Sequence, residues 1–165
     1  MTVVSNSSPL IILAKLNCFE LLEKLYSTLC ITPEVYSEVV VTGTGRPGSA
    51  QVMKAGWIDV KAIHNQDDLL AAQKKTALGI GELSAIVLAK EITADVVLLD
   101  DYHAREFARA EQLQVRGTVG ILETLHRRGY VSDLRALFQA LLANNAYIDR
   151  RLLNRRLQSL GLQPL

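Results

Sequence analysis

The chain has 165 residues, 49% of them hydrophobic, and a formal net charge of +1. That length is one ordinary domain with enough apolar residues for a sizeable core. The near-neutral balance excludes a uniformly basic nucleic-acid binder while leaving room for a local basic groove. Only 5% of residues are aromatic, so the core is aliphatic, as suits a buried parallel sheet covered by helices.

Thr2–Ser5 reads as a first strand. Asn6-Ser7-Ser8-Pro9 opens a helix, a cap-type residue followed by proline in the first turn. Leu10 to Lys15 and Cys18 to Leu25 form a broken helical pair. Cys30-Ile31 is a short strand, and Thr32-Pro33-Glu34 caps a helix that ends near Val41. Thr42 to Ser49 is a glycine-rich surface loop. Its Gly43, Gly45 and Gly48 spell G-x-G-x-x-G, but a dinucleotide motif needs a preceding strand, and Pro47 removes an N–H that a phosphate cradle would use.

Trp57 to Val60 is a short or edge strand. Helices follow over Asp68 to Lys75 and Gly81 to Lys90, with Glu82 in the first turn of the second. Asp95–Leu99 is the clearest central strand, then Asp101 to Gln112 a helix and Gln114–Arg116 a minimal strand. Gly117-Thr118 starts a helix through Arg128, closed by Gly129. Ser132-Asp133 caps a helix from Leu134 to about Asn144, and Asp149 caps a last one ending at Gly161. The alternation predicts a three-layer α/β/α fold on a parallel sheet.

Five side chains are candidates for one site: Asn6, Glu38, Glu82, Asp100 and Asp101. They stand at strand ends or in helices, and in an open α/β sheet the strand carboxyl ends and adjoining helix starts face one crevice. Carboxylates converging there need a cation, and hard oxygen donors select Mg²⁺ or Mn²⁺. Each residue also has a plainer role: Glu38 on a solvated helix, Glu82 complementing a helix dipole, Asn6 or one of the two Asp as a helix cap. Either Asp100 or Asp101 is the ligand, since two adjacent carboxylates cannot both be simple caps. Arg105 is a candidate for phosphate contact; His103 reads as structural.

Charge is unevenly placed. Residues 121–165 carry seven Arg (127, 128, 135, 150, 151, 155, 156) against Glu123, Asp133 and Asp149, and the remainder is net acidic. The basic tail is either an RNA contact or two solvated helix faces. Leu134, Leu137, Phe138, Leu141 and Leu142 form one apolar stripe, and Leu152, Leu153, Leu157 and Leu160 another, which points to a homodimer or to completion of the monomer core. Cys18 and Cys30 have no CxxC or His partner and suit buried free thiols in a reducing compartment. With no stretch near the roughly 20 apolar residues of a membrane span and no basic n-region, the chain is expected to be cytoplasmic.

The ordered set Val4-Ser5-Asn6-Ser7-Ser8-Pro9-Leu10-Ile11, Pro33-x-Val35-x-x-Glu38, Gly81-Glu82-x-x-Ala85-Ile86, Leu98-Leu99-Asp100-Asp101-x-x-Ala104-Arg105, Val119-Gly120-Ile121-Leu122 and Arg128-Gly129 resembles the PIN-domain family over nearly the full length. Within it the chain looks like the small prokaryotic proteins related to VapC-type ribonuclease toxins. The resemblance implies a single domain over 1–165, a parallel sheet of about five strands and a C-terminal helical extension from about 131. It implies metal positions at Asn6, Glu38, Glu82 and Asp100 or Asp101, with Ser8 supporting the first by hydrogen bonding. It further implies Mg²⁺- or Mn²⁺-dependent hydrolysis of RNA phosphodiester bonds, and a small antitoxin protein as partner. The family usually has Asp where this chain has Asn6. That departure favours the competing reading, a PIN-like module that binds RNA or a protein without cleaving. A phosphoacceptor receiver domain fails because residues 114–120 hold no late-strand lysine.

Overall fold

The computed structural model describes residues 1–144 and 147–165. It divides into two compact units, Met1–Gly117 and Thr118–Leu165.

The first unit holds a five-stranded sheet in the order β3-β2-β1-β4-β5, every pairing parallel. The strands are β1 (Val3–Ser5), β2 (Leu29–Ile31), β3 (Ile58–Val60), β4 (Val96–Leu98) and β5 (Val115–Arg116). Each central strand is buried along its length, as β-branched and leucine runs covered on both faces should be. β3, the edge strand, is half-buried to exposed.

Helices α1 (Ser7–Lys15), α2 (Leu21–Leu25), α3 (Pro33–Tyr36), α4 (Ser49–Lys54), α5 (Gln66–Lys75), α6 (Ile80–Glu91) and α7 (Tyr102–Ala110) connect and flank the strands. Successive strand side chains alternate between faces. Val4, Cys30, Val97 and Leu99 pack with α5, α6 and α7 through Leu69, Leu83, Ile86, Val87 and Ala104. The alternate set, Val3, Leu29, Ile31 and Leu98, is equally buried, which makes the sheet a middle layer. Cys18 and Cys30 are free and buried, and burial pushes both thiols up.

Three local features depart from the sequence reading, the first being α4 (Ser49–Lys54), where that reading has no element. The helix begun at Pro33 continues as a π-helical segment, Ser37–Thr42, instead of an α-helix. Hydrophobic spacing in Val39-Val40-Val41 does not separate the two geometries. The pair-breaking turn also runs longer, so α2 starts at Leu21 and not Cys18. Gly43 to Gly48 is a turn region leading from that π segment into α4, and a π-helical segment, not the strand a dinucleotide motif requires, precedes it.

The second unit contains α8 (Thr118–Arg127), α9 (Leu134–Asn144) and α10 (Arg150–Ser159). From the two apolar stripes, Leu134, Phe138, Leu141, Leu153 and Leu157 are fully buried within the single chain. Only Leu152 is classed as exposed. Much of the stripe is therefore consumed by the protomer itself.

The basic tail is partly neutralised internally. Arg156 forms a two-point contact with the buried Glu123 through Nε–Oε1 at 2.5 Å and Nη2–Oε2 at 2.7 Å. Arg127 Nη2 lies 3.8 Å from the same carboxylate. Arg151 pairs with Asp149 at 3.5 Å on the surface, a contact that solvent screens. Arg135 donates to the Pro164 carbonyl at 2.9 Å.

Candidate functional site

The sheet order places its topological switch between β1 and β4, because the connections leave β1 toward β2 on one side and β4 toward β5 on the other. Such a switch point opens a crevice at the strand carboxyl ends. Ser5 is in register with Leu98, so Asn6 leaves β1 beside the point where Asp100 and Asp101 follow β4.

Asn6 occupies the cap position of α1, yet its side chain makes no capping hydrogen bond. It is 5% exposed, and its Oδ1 is buried without a hydrogen-bond partner. The backbone N–H donates to the Leu98 carbonyl at 3.1 Å, which fixes the residue in place. A buried unpaired amide oxygen costs about 1–3 kcal/mol, so this side chain is held at a cost that helix capping does not explain.

The next two residues tether acids from elsewhere in the chain. The Ser7 hydroxyl donates to Glu38 Oε2, although Glu38 is otherwise exposed on the π-helical segment. The Ser8 hydroxyl donates to Asp100 Oδ2 at 3.4 Å. Ser8 was expected to support Asn6; its hydroxyl instead reaches Asp100. Ser7 was not singled out from sequence at all.

Two glycines let the carboxylates approach the backbone. A Cβ on Gly81 would stand 2.3 Å from Glu38 Oε1, and one on Gly117 would stand 3.2 Å from Asp100 Oδ1. The sequence reading makes Gly117 a helix start and Gly81 a helix start and part of the Gly81-Glu82 motif, with no contact to a carboxylate assigned to either. The start of α6 is tied to the start of α3 by the Thr32–Ser84 hydroxyl pair at 2.7 Å, which brings Gly81-Glu82 to Glu38.

Glu82 accepts the Gly79 N–H at 3.2 Å, closing the first turn of α6. Burial pushes its carboxyl up, the Gly79 contact opposes that, and the charges of Asp101 and Glu38 push it up further. Asp101 and Glu38 thus each act on the charge of Glu82. Asp101 caps α7, accepting the Ala104 N–H at 2.8 Å. The adjacent Asp pair thus divides its work: Asp101 caps, and Asp100 turns to Ser8. Arg105, one turn into α7, has a buried Nε with no partner, and its Nη1 is 3.6 Å from where a Gly117 Cβ would be. The His103 ring meets that of the neighbouring Tyr102 edge to face.

The donor set is all oxygen, one neutral and four anionic, which matches a hard dication. The orphaned Asn6 Oδ1 is the observation that fits such a group. Each of the four carboxylates also uses an oxygen on a protein donor. Among the described residues no group of three or more His, Cys, Asp or Glu side chains is placed to hold a metal ion.

Because Glu82 is held against burial and two like charges, neutralising it should relieve the fold. Glu82→Gln keeps the acceptor for Gly79. We expect it to raise stability at neutral pH by less than about 1 kcal/mol after solvent screening, read by chemical denaturation. A loss of stability would show that the three charges do not crowd one another.

The fold is that of an α/β protein with a switch point between β1 and β4. A family model described as a PIN domain (DUF3368) matches residues 2–162, and the chain belongs to the PIN-domain family. The fold is similar to that of a PilT N-terminus domain protein from the hyperthermophilic archaeon Sulfolobus solfataricus P2. That match has a TM-score of 0.51 at 16% identity and covers 75% of this chain and 92% of the other. No curated protein matches the chain. PIN domains are generally nucleases, and those nucleases generally use divalent metal ions. Among the described residues no helix is long and apolar enough to cross a membrane.

Proposed function

We propose that this protein is a Mg²⁺- or Mn²⁺-dependent endoribonuclease that hydrolyses RNA phosphodiester bonds, acting as the toxin of a toxin–antitoxin pair restrained by a small protein. The observation that carries the reading is the buried, unpartnered Asn6 Oδ1 flanked by two serines that hold Glu38 and Asp100. Asn6, Glu38 and Asp100 would hold the cation, with the free oxygens of Glu82 and Asp101 completing its charge balance. A bound dication supplies Lewis acidity toward the phosphate and a more acidic water. Ser7 and Ser8 orient the carboxylates, and the Gly81 and Gly117 backbones let them sit close. Arg105 faces the crevice edge, where a guanidinium suits a phosphate oxygen. The remaining exposed apolar surface of the second unit, including Leu152, would serve a homodimer or the inhibitor.

Asn6 also supports the alternative, a PIN module that binds RNA or protein with weakened cleavage, since an amide oxygen brings no charge. The two readings part in one experiment. Cleavage of RNA in Mg²⁺ or Mn²⁺, lost in EDTA and in Asp100→Asn/Asp101→Asn, supports the nuclease. RNA binding without cleavage in any of these conditions selects the module. Asn6→Asp is expected to tighten metal binding by roughly 1–4 kcal/mol, the Coulomb gain of one added charge a few ångströms away at surface-like dielectric. Calorimetry giving equal affinity for wild type and Asn6→Asp would remove Asn6 from the metal site.

A further inference from the structure

Helix α5 is anchored to its own chain by little. Of its ten residues, Gln66–Lys75, only Leu69 and Ala72 are buried. At about 100° per residue those two point to one side, and Asp67, Leu70, Ala71 and Lys74 share the opposite side by i, i+3, i+4, i+7 spacing. All four are exposed, Leu70 to 54%. A short helix takes most of its stability from tertiary packing of an apolar face, and this one leaves a leucine in water at the centre of its free side. A lone exposed leucine is ordinary, but this one borders an apolar cleft between α5, α6 and α7. The exposed Ala71 lines that cleft together with Ala72, Ile86, Val87 and Phe107. The charges along the cleft are already engaged: Lys90 donates to Glu111, and Lys75 lies 4.0 Å from the same carboxylate.

Asp67 and Lys74, by contrast, form no ion pair among the described residues. They stand seven residues apart, beyond the i,i+3 and i,i+4 reach of pairs within one helix. Their midpoint along α5 falls between Leu70 and Ala71, and that placement makes the face self-complementary. A two-fold axis through the midpoint lays a second α5 antiparallel on the first, as an isologous interface requires. Asp67 of each copy then meets Lys74 of the other, and Leu70 of each meets Ala71 of the other. Opposite charges pair at both ends, and a large side chain meets a small one at the centre, where Ala71 opens onto the cleft. Acids at a helix start and lysines at its end also complement the macrodipole. The dipole gives no reason for an exposed leucine between them or for an apolar cleft beside it. An RNA strand would be repelled by Asp67 and Asp68 on this helix, which leaves a second copy as the occupant that matches charge order and side-chain size together.

We propose that the outer face of α5 is a self-docking surface on which two copies of this chain pack antiparallel through Asp67, Leu70, Ala71 and Lys74, with Leu70 of each copy seated at the cleft of the other. The interface belongs wholly to the first unit. It assigns the homodimer to one face and one register, and leaves the exposed Leu152 of the second unit to other contacts. It does not rest on the nuclease reading, because assembly needs neither RNA nor a cation.

The test is sedimentation equilibrium of the full chain across the micromolar range, without RNA, with circular dichroism to confirm that each variant is folded. Wild type should dimerise. Asp67→Lys and Lys74→Asp, each alone, should raise the dimer dissociation constant more than about tenfold, because each sets like charges opposite one another at both contacts. Mixing these two variants should restore dimers, now of one copy of each, since every contact across the axis again joins opposite charges. The double variant Asp67→Lys/Lys74→Asp should dimerise like wild type for the same reason. Leu70→Ala should raise the constant about 100-fold, because the lost burial counts once in each copy. Leu70 lies outside the protomer core, so this variant decides the question should a charge reversal loosen the helix. A wild type that stays monomeric overturns the proposal. A dimer that all three single variants leave intact overturns it too, since that dimer uses another face. Failure of the two reversed variants to pair when mixed overturns the antiparallel register and the proposal with it. RNA cleavage in Mg²⁺, measured on the same samples, stands or falls separately.

Discussion

Replacing Gly81 with alanine is expected to leave the protein folded, and slightly more stable, while lowering RNA cleavage about 100-fold. Gly81 lies in the first turn of α6, where alanine is the better helix former by up to about 1 kcal/mol. Its added Cβ would meet the Glu38 carboxylate at 2.3–2.7 Å. That carboxylate ends a flexible, exposed side chain, so it moves away and the backbone does not. Glu38 then loses its seat beside Ser7. Displacement of a catalytic group by about 1 Å can cost on the order of 100-fold in rate. Calorimetric titration with Mn²⁺ should show weaker binding in the same variant. Unchanged activity in a folded Gly81→Ala protein would take Glu38 out of the site. Reduced stability would instead mean that the contact is structural.

The second large effect lies in the other unit. Arg156→Met should destabilise the protein by about 3–5 kcal/mol, because it strands a buried carboxylate. Glu123 is 3% exposed and accepts both charge-assisted hydrogen bonds from Arg156. The remaining cation, Arg127, is 3.8 Å away and largely in solvent. For a chain of this size the midpoint of thermal unfolding should fall by about 6–20 °C. Adding Glu123→Leu should recover most of that loss, since an apolar pair replaces a buried ion pair at little net cost. A full double-mutant cycle separates pair from residue contributions. A single-variant loss below about 1 kcal/mol would class the contact with ordinary surface pairs.

The strands, their parallel pairing and nearly every helix were readable from local chemistry. Thr32, Asp101 and Asp149 accept backbone N–H groups at helix starts, the cap role that their sequence context offers a short polar side chain. Val96-Val97-Leu98 had to be central because a continuous β-branched and leucine run is soluble in no other place. The acids at strand ends could be nominated for the same reason: parallel strands send their carboxyl ends to one edge.

Partnership was not readable. Ser7 and Ser8 are adjacent and chemically identical, yet one holds Glu38 and the other Asp100, and only the twist of α1 over the sheet decides which. Asn6 has the sequence of a cap and does not cap; burial against β4 determines that. Gly81 and Gly117 carry no side chain to mark them, and their meaning comes entirely from acids that are distant or on another element. Arg156 looked like a free cation in a basic tail, whereas the packing of α10 delivers it to Glu123. Local sequence sets dihedral preference, apolar period and capping, all short-range energies within a few residues. Which polar groups meet, and which are left unpaired, depends on distances set by packing between elements, and those exist only once the chain has folded.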